Sequence, residues 1–299
     1  MNNRDTPRGV RPAQPSLWTP VHALETVHWS PSSLVGLLLV GALLIGSWHL
    51  TEIQPVLLFG AESRRQIWAF LAGLFPPDLS PGFLTLLIQP TLETIQISIM
   101  GMAVGIVLGF PLALLATDRL SYTGILYEMD GDASAWQRAA RRLAYLAARM
   151  LLNFCRSIPD VVWALMFVRI VGLGPFPGVL AIGVSYAGML GKIYAEMFEN
   201  SPEGPIEALH AVGASKLTLL GYGFLPLAFA NLVSYSLYRW ECAIRSAAIM
   251  GLVGAGGLGQ QIEISMRMFD YQQTSTILII VFVLVTGADH LSSRIRRAL

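Results

Sequence analysis

A chain of 299 residues that is 54% hydrophobic and only 13% charged, with a mean hydropathy of +0.57, lies outside the composition of soluble domains and requires a bilayer. Intrinsic disorder is excluded for all but about the first 30 residues, because it needs low hydrophobicity and high net charge. The net charge of +1 comes without a basic face interleaved with aromatics, so nothing points to nucleic acid as a partner.

Residues 1–30 form a polar tail, and 31–299 read as one helical membrane domain. The first uncharged apolar run, Ser33–Leu50, is close to the roughly 20 residues a helix needs to cross about 30 Å of hydrocarbon. It starts far from the N-terminus and no A-x-A site follows it, so a retained span is expected rather than a cleaved signal peptide. From 54 to 88 the pattern is mixed. Arg64, Arg65, Trp68, Phe70 and Leu71 suggest a surface amphipathic helix that Pro76, Pro77 and Pro81 then break. The second span is expected over 91–116. Gly101, Gly105 and Gly109 recur there at four-residue intervals, so one face admits a neighbouring backbone.

Residues 117–149 are polar and carry Arg119, Arg138, Arg141, Arg142 and Arg149. Further spans are expected over 151–171, 178–198, 217–238 and 274–288, with a turn at 172–177 and a polar loop at 199–216. The expected fold is therefore all-α, with about six transmembrane helices. An even count puts both termini on one side. Arg4, Arg8 and Arg11, the 117–149 loop and the cluster Arg294, Arg296 and Arg297 then share the cytoplasmic face by the positive-inside rule. The same topology places Cys155 and Cys242 near opposite faces, too far apart for a disulfide.

In the loop at 199–216, Ser201 can cap a helix with Pro202 in its first turn and Glu203 close behind, Gly213 can end it left-handed, and Ser215 can start the next. An exposed knob of two short helices follows; an ordinary polar loop is the plainer alternative. Glu207-Ala208-Leu209, then Gly213, then Leu225-Pro226 resemble the EAA motif of ABC-importer permeases, with Leu209 in place of the second Ala. The resemblance implies that Glu207, Ala208 and Gly213 belong to a coupling helix seated in a cleft of the ATP-binding subunit.

Three further blocks extend the likeness. Arg156-Ser157-Ile158-Pro159 with Val162-Trp163-Ala164, Val171-Gly172-Leu173-Gly174-Pro175-Phe176, and Ser234-Tyr235-Ser236-Leu237-Tyr238-Arg239-Trp240-Glu241 resemble permeases of phosphonate importers, which have a MetI-like bundle. Val253-Gly254-Ala255-Gly256-Gly257-Leu258-Gly259 is shared with methionine importers as well. The likeness covers about residue 91 to the C-terminus and implies a permease domain over 31–299 in a multi-pass bacterial inner-membrane protein. It also implies a homodimer, two cytoplasmic ATP-binding subunits that hold the ATP and Mg, and an extracytoplasmic binding protein delivering a phosphonate, phosphite or phosphate. No cofactor is expected in this chain, which has no G-x-x-x-x-G-K-[ST] phosphate loop. No enzymatic role is expected of it either. A permease for another small solute, such as an amino acid, is the alternative.

Gly254, Gly256 and Gly259 formally match the dinucleotide fingerprint, but no strand precedes them. Gly254, Gly256, Gly257 and Gly259 read instead as a re-entrant gate turn, because irregular backbone at membrane depth is tolerated where protein or a wet cavity surrounds it. Arg156 and Asp160, four apart, are expected to pair on one helix face, and Lys192 and Asp289 to snorkel. Arg169, Arg239 and Arg245 are candidates for an anion pathway near its outer end, with pairing to Glu241 or Glu93 as the competing reading. A secondary transporter would show internal repeats, and an intramembrane enzyme a catalytic cluster. Neither is found: His22, His28, His49, His210 and His290 are scattered singly.

Overall fold

A computed structural model describes residues 31–51, 54–55, 59–121 and 134–298; the polar tail 1–30 and its arginines lie outside the described residues. The described elements are helical, with no strand among them. They run α1 (Pro31–Leu50), α2 (Ala61–Gly73), α3 (Pro81–Ala116), α4 (Asp118–Ser121), α5 (Ala135–Ser157), α6 (Asp160–Val171), α7 (Pro175–Glu199), α8 (Glu203–Ala211), α9 (Lys216–Thr218), a π-helical turn (Leu219–Phe224), α10 (Leu225–Met250), α11 (Gly257–Arg267) and α12 (Tyr271–Ala298). The chain divides into two compact units, Met1–Arg65 and Gln66–Leu299, a later boundary than the composition change at residue 30. In the first unit α1 is apolar along its length and exposes Leu38, Leu43 and Leu44. The second unit is the helical bundle.

Pro81 does not break the chain. It stands in the first turn of α3, where a missing N–H costs nothing and the fixed φ favours helix. Helix α3 therefore begins ten residues before the expected span and reaches 36 residues, about 54 Å. The expected span at 151–171 is interrupted. Ile158 is held extended at φ −91°, ψ 125°, as a residue before proline should be, so α5 ends and α6 starts at Asp160 with only 12 residues. At about 18 Å, α6 is too short to cross a bilayer. The break frees carbonyls, and one of them is recaptured: Trp163 Nε1 donates to the Cys155 carbonyl at 3.1 Å. Five helical segments among the described residues, Ser33–Leu50, Pro81–Ala116, Pro175–Glu199, Lys216–Val253 and Tyr271–Ala298, are long and apolar enough to span. The third expected span is the one that drops out.

The break also separates Arg156 from Asp160. Arg156 donates to Asn153 Oδ1 at 3.1 Å and Asp160 accepts from the Val161 N–H, so the expected pair does not form. Helix α5 starts on a capping box, Ser134 Oγ accepting from Gln137 N at 3.3 Å and Ser134 N donating to Gln137 Oε1 at 3.0 Å. It buries Ala148 and Leu152.

Helix α7 is the hub, packing against α3, α5, α6 and α10. The glycine face of α3 meets it as expected. A methyl group on Gly101 would stand 2.6 Å from Ile182 Cβ, and one on Gly109 would stand 2.9 Å from the Ala187 carbonyl oxygen. Both distances are below van der Waals contact, so only hydrogen permits these helices to lie so close. Ile97, Met102, Ala113, Ala181, Ile182, Tyr186 and Leu190 fill the core around this seam.

Candidate functional site

The loop at 199–216 folds as a short helix and a turn. Ile206 is buried and Leu209 half-buried on the inner side of α8, where a methyl on Gly223 of the π-helical turn would meet Leu209 and Ile206 at 3.4 and 3.7 Å. Glu207 and Ala208 are exposed on the other side. Gly213 takes φ 80°, a left-handed stop that glycine adopts without steric cost, and Ser215 Oγ accepts from Thr218 N to start α9. The expected cap at Ser201 is absent. Its hydroxyl donates back to the Met197 carbonyl at 3.1 Å, and Pro202 occupies the cap position without a side-chain hydrogen bond. Val212, Leu217 and Tyr222 stand exposed around the knob.

Three residues that the sequence reading treated only as charge markers or loop hold the base of this knob. Arg149 of α5 donates through Nε to the Ala116 carbonyl at 3.0 Å and pairs with Glu199. Glu199 also accepts from the Asp118 N–H at 2.9 Å, so one carboxylate ties the C-terminal ends of α3 and α7 to α5. Arg119 donates to the Ser201 carbonyl at 2.9 Å and reaches Glu203 at 3.0 Å, binding the start of α8 to α4. Separations of 50 and 82 residues leave no periodic signal in the sequence. Glu199→Gln is expected to cost about 1–2 kcal/mol, read as a lower melting temperature of the detergent-solubilised chain.

The glycine stretch makes a second irregular place. Gly254, Gly256 and Gly257 take φ 93°, 78° and 71°, which orders a turn between α10 and α11 that side chains other than glycine rarely adopt. Ala255, Leu258 and Gly259 are buried, so this non-helical backbone is surrounded by protein. Gly174 N donates to the Gly254 carbonyl at 3.0 Å. Glu93 does not pair with an arginine: its Oε2 accepts from Gly257 N at 3.1 Å, while Thr94 Oγ1 accepts from Leu258 N at 2.9 Å. Two side chains of α3 thus satisfy the open N–H groups of α11, the carboxylate favoured by the helix dipole. Glu93→Ala is expected to lower stability by about 1 kcal/mol, measurable by thermal unfolding in detergent.

The candidate pathway arginines are not brought together. Arg169 is exposed in the last turn of α6, while Arg239 lies midway along α10, because that helix runs on to Met250 rather than ending near 238. Its guanidinium lies over the Tyr186 ring at 4.7 Å and against Met189 Sδ. Arg245 is 3.3 Å from Cys242 Sγ and 4.0 Å from Glu241. Arg296 approaches the other Glu241 oxygen at 3.9 Å. The end of α12 therefore sits level with the Glu241–Arg245 group, and the expected placement of these charges on opposite faces is corrected. Lys192 pairs with Glu196 at 3.2 Å, and Asp289 is exposed. Both cysteines are free thiols, and no group of metal-ligating residues occurs among the described residues.

A glycine-seamed bundle with a broken helix, a buried glycine turn and a polar knob between two spans is the architecture of a membrane transport subunit. The chain belongs to the family of binding-protein-dependent transport system inner membrane components, whose profile matches residues 133–299, and it is a multi-pass inner-membrane protein. It is 34% identical over 259 residues to the phosphite transport system permease protein PtxC of Stutzerimonas stutzeri, covering 86% of each chain. It is 28% identical over 259 residues to the phosphate-import permease protein PhnE of Mycolicibacterium smegmatis, covering 86% of this chain and 44% of that one. Its fold matches a chain of the MetNI methionine ABC transporter in an inward facing conformation with a TM-score of 0.61 and 25% identity, over 74% of this chain and 99% of the other.

Proposed function

We propose that the chain is the permease subunit of an ABC importer for a small phosphorus oxyanion, a phosphite, phosphonate or phosphate. The observation that carries this reading is the similarity to a phosphite transport permease along 86% of both chains, together with the exposed knob at Glu207 and Ala208. Two copies would form the pathway, two ATP-binding subunits would hold ATP and Mg on the cytosolic side, and an extracytoplasmic binding protein would deliver the anion. The chain itself would bind no cofactor and catalyse no reaction.

On this reading α8 is the coupling helix. Small and exposed residues at Ala208 and Gly213 let a groove of the ATP-binding subunit close over it, and Glu207 supplies a charge for pairing. ATP-driven closure of the motor would pull the two knobs together, and the brace Arg149–Glu199 with Arg119 would pass the movement to α3, α5 and α7. The turn at Gly254, Gly256, Gly257 and Gly259 would act as the gate element, since its backbone already departs from helix and rests on two side chains of α3. Arg169, Arg239 and Arg245 would supply positive potential along the route of an anion.

The test is purification of the binding protein that functions with this permease, with calorimetric titration of phosphite, methylphosphonate, phosphate and methionine. Micromolar or tighter binding of a phosphorus oxyanion supports the reading. Binding of methionine alone would replace it with the amino-acid alternative.

A further inference from the structure

Among the three candidate pathway arginines, Arg239 is the one the structure leaves without a counter-charge inside the bundle. It is half-buried midway along α10. Its Nε is buried and has no hydrogen-bond acceptor. Its Nη2 faces Met189 Sδ, and a thioether is only a weak acceptor. The nearest carboxylate in sequence, Glu241, is engaged elsewhere, by Arg245 and Arg296 at 4.0 and 3.9 Å. Glu196 is held by Lys192. What Arg239 has instead is the Tyr186 ring, 4.7 Å from its central carbon.

An aromatic face attracts a cation but accepts no directed hydrogen bonds from the guanidinium edge. A charge kept in a spanning helix without a carboxylate partner is costly and calls for a reason. The Tyr186 ring, 4.7 Å from the guanidinium carbon, holds the group in place without neutralising its charge. The hydroxyl of the same tyrosine, Tyr186 Oη, lies 3.4 Å from Ser246 Oγ. A tetrahedral oxyanion offers what these groups lack, two acceptor oxygens for a planar fork and further oxygens for hydroxyl donors.

We propose that Arg239, stacked on Tyr186, is the specificity-determining residue of the permease: a transient station that reads the phosphorus oxyanion by its charge and forked geometry in mid-passage. Arg245, screened by Glu241 and exposed, and Arg169, exposed at the end of α6, do not share this role. The proposal rests on the oxyanion-importer reading above. One site per protomer, with only one guanidinium, suits an anion that must leave again.

The test is phosphite uptake into proteoliposomes holding the complete importer, binding protein and ATP-binding subunit included, with rates normalised to assembled complex. Arg239→Met, which keeps the apolar length without charge, is expected to reduce uptake by at least about tenfold, and Arg239→Lys, which keeps the charge without the fork, by clearly less. Arg239→Gln repeats the neutral arm in case the Met variant fails to assemble. Uptake by either neutral variant within about twofold of the parent chain overturns the proposal. So does an equal loss in the Lys and neutral variants, which disruption of the Tyr186 packing alone would produce. If the parent importer moves no phosphorus oxyanion at all, it is the importer reading that fails; if it moves phosphite and the neutral variants do too, only the role of Arg239 fails.

Discussion

Glu207→Arg is expected to abolish stable co-purification of the chain with its ATP-binding subunit, a loss of at least about a hundredfold in affinity. The residue is exposed on the outer side of a nine-residue helix whose inner side is pinned by Ile206, so the substitution changes a surface and leaves the packing of the knob alone. Reversing a charge at a docked interface replaces an attraction by a repulsion, and like charges brought together there cost several kcal/mol. The check is affinity purification through a tag on the permease, with the ATP-binding subunit quantified in the eluate. Unchanged recovery would remove α8 as the coupling element. Ile206→Asp is a contrasting case: it should lower recovery through loss of the fold, visible as a fall in melting temperature that Glu207→Arg does not share.

Gly259→Val is expected to be the most damaging small substitution in the bundle. A Cβ at this position would stand 1.9 Å from the Ala248 carbonyl oxygen and 2.9 Å from Gly251 Cα, backbone atoms that have no rotamer to retreat into. Overpacking in a core costs about 1–3 kcal/mol where side chains can adjust; here α11 must move bodily away from α10. The movement would also pull Gly257 and Leu258 off Glu93 and Thr94, adding roughly 1 kcal/mol for each cap lost. A melting temperature lower by several degrees in detergent, with transport lost in the full complex, is the expected result. A variant that melts with the parent chain would mean that α11 is not seated as described. Gly82→Ala is the matched control, since a methyl there meets nothing within 4 Å.

The residues show which parts of this architecture were readable in one dimension. The glycine spacing at 101, 105 and 109 announced a close helix contact because a face repeats every three to four residues, and that contact exists against Ile182, Ala187 and Gly191. Gly213 and Ser215 announced the end of one helix and the start of the next because caps are local. The start of α3 lies earlier than expected because Pro81 reads as a breaker in sequence, whereas it sits in the opening turn of the helix; Pro90 is carried inside the helix, where its carbonyl accepts from Thr94 Oγ1 at 2.9 Å. The third expected span was read as continuous because hydropathy does not register the extended conformation that Pro159 forces on Ile158.

The amino-acid sequence by itself determined the class: an apolar helical chain, its principal spans, the knob between two of them, and the glycine turn. All of these depend on composition, period and neighbouring residues. The tertiary structure alone decided which charges are answered. Glu199 could find Arg149, Glu93 could cap α11, and Arg296 could reach Glu241 only after helices distant in sequence had packed. Arg239 was left with an aromatic ring in place of a carboxylate. Electrostatic partnership falls off over a few ångströms in space and takes no account of separation along the chain.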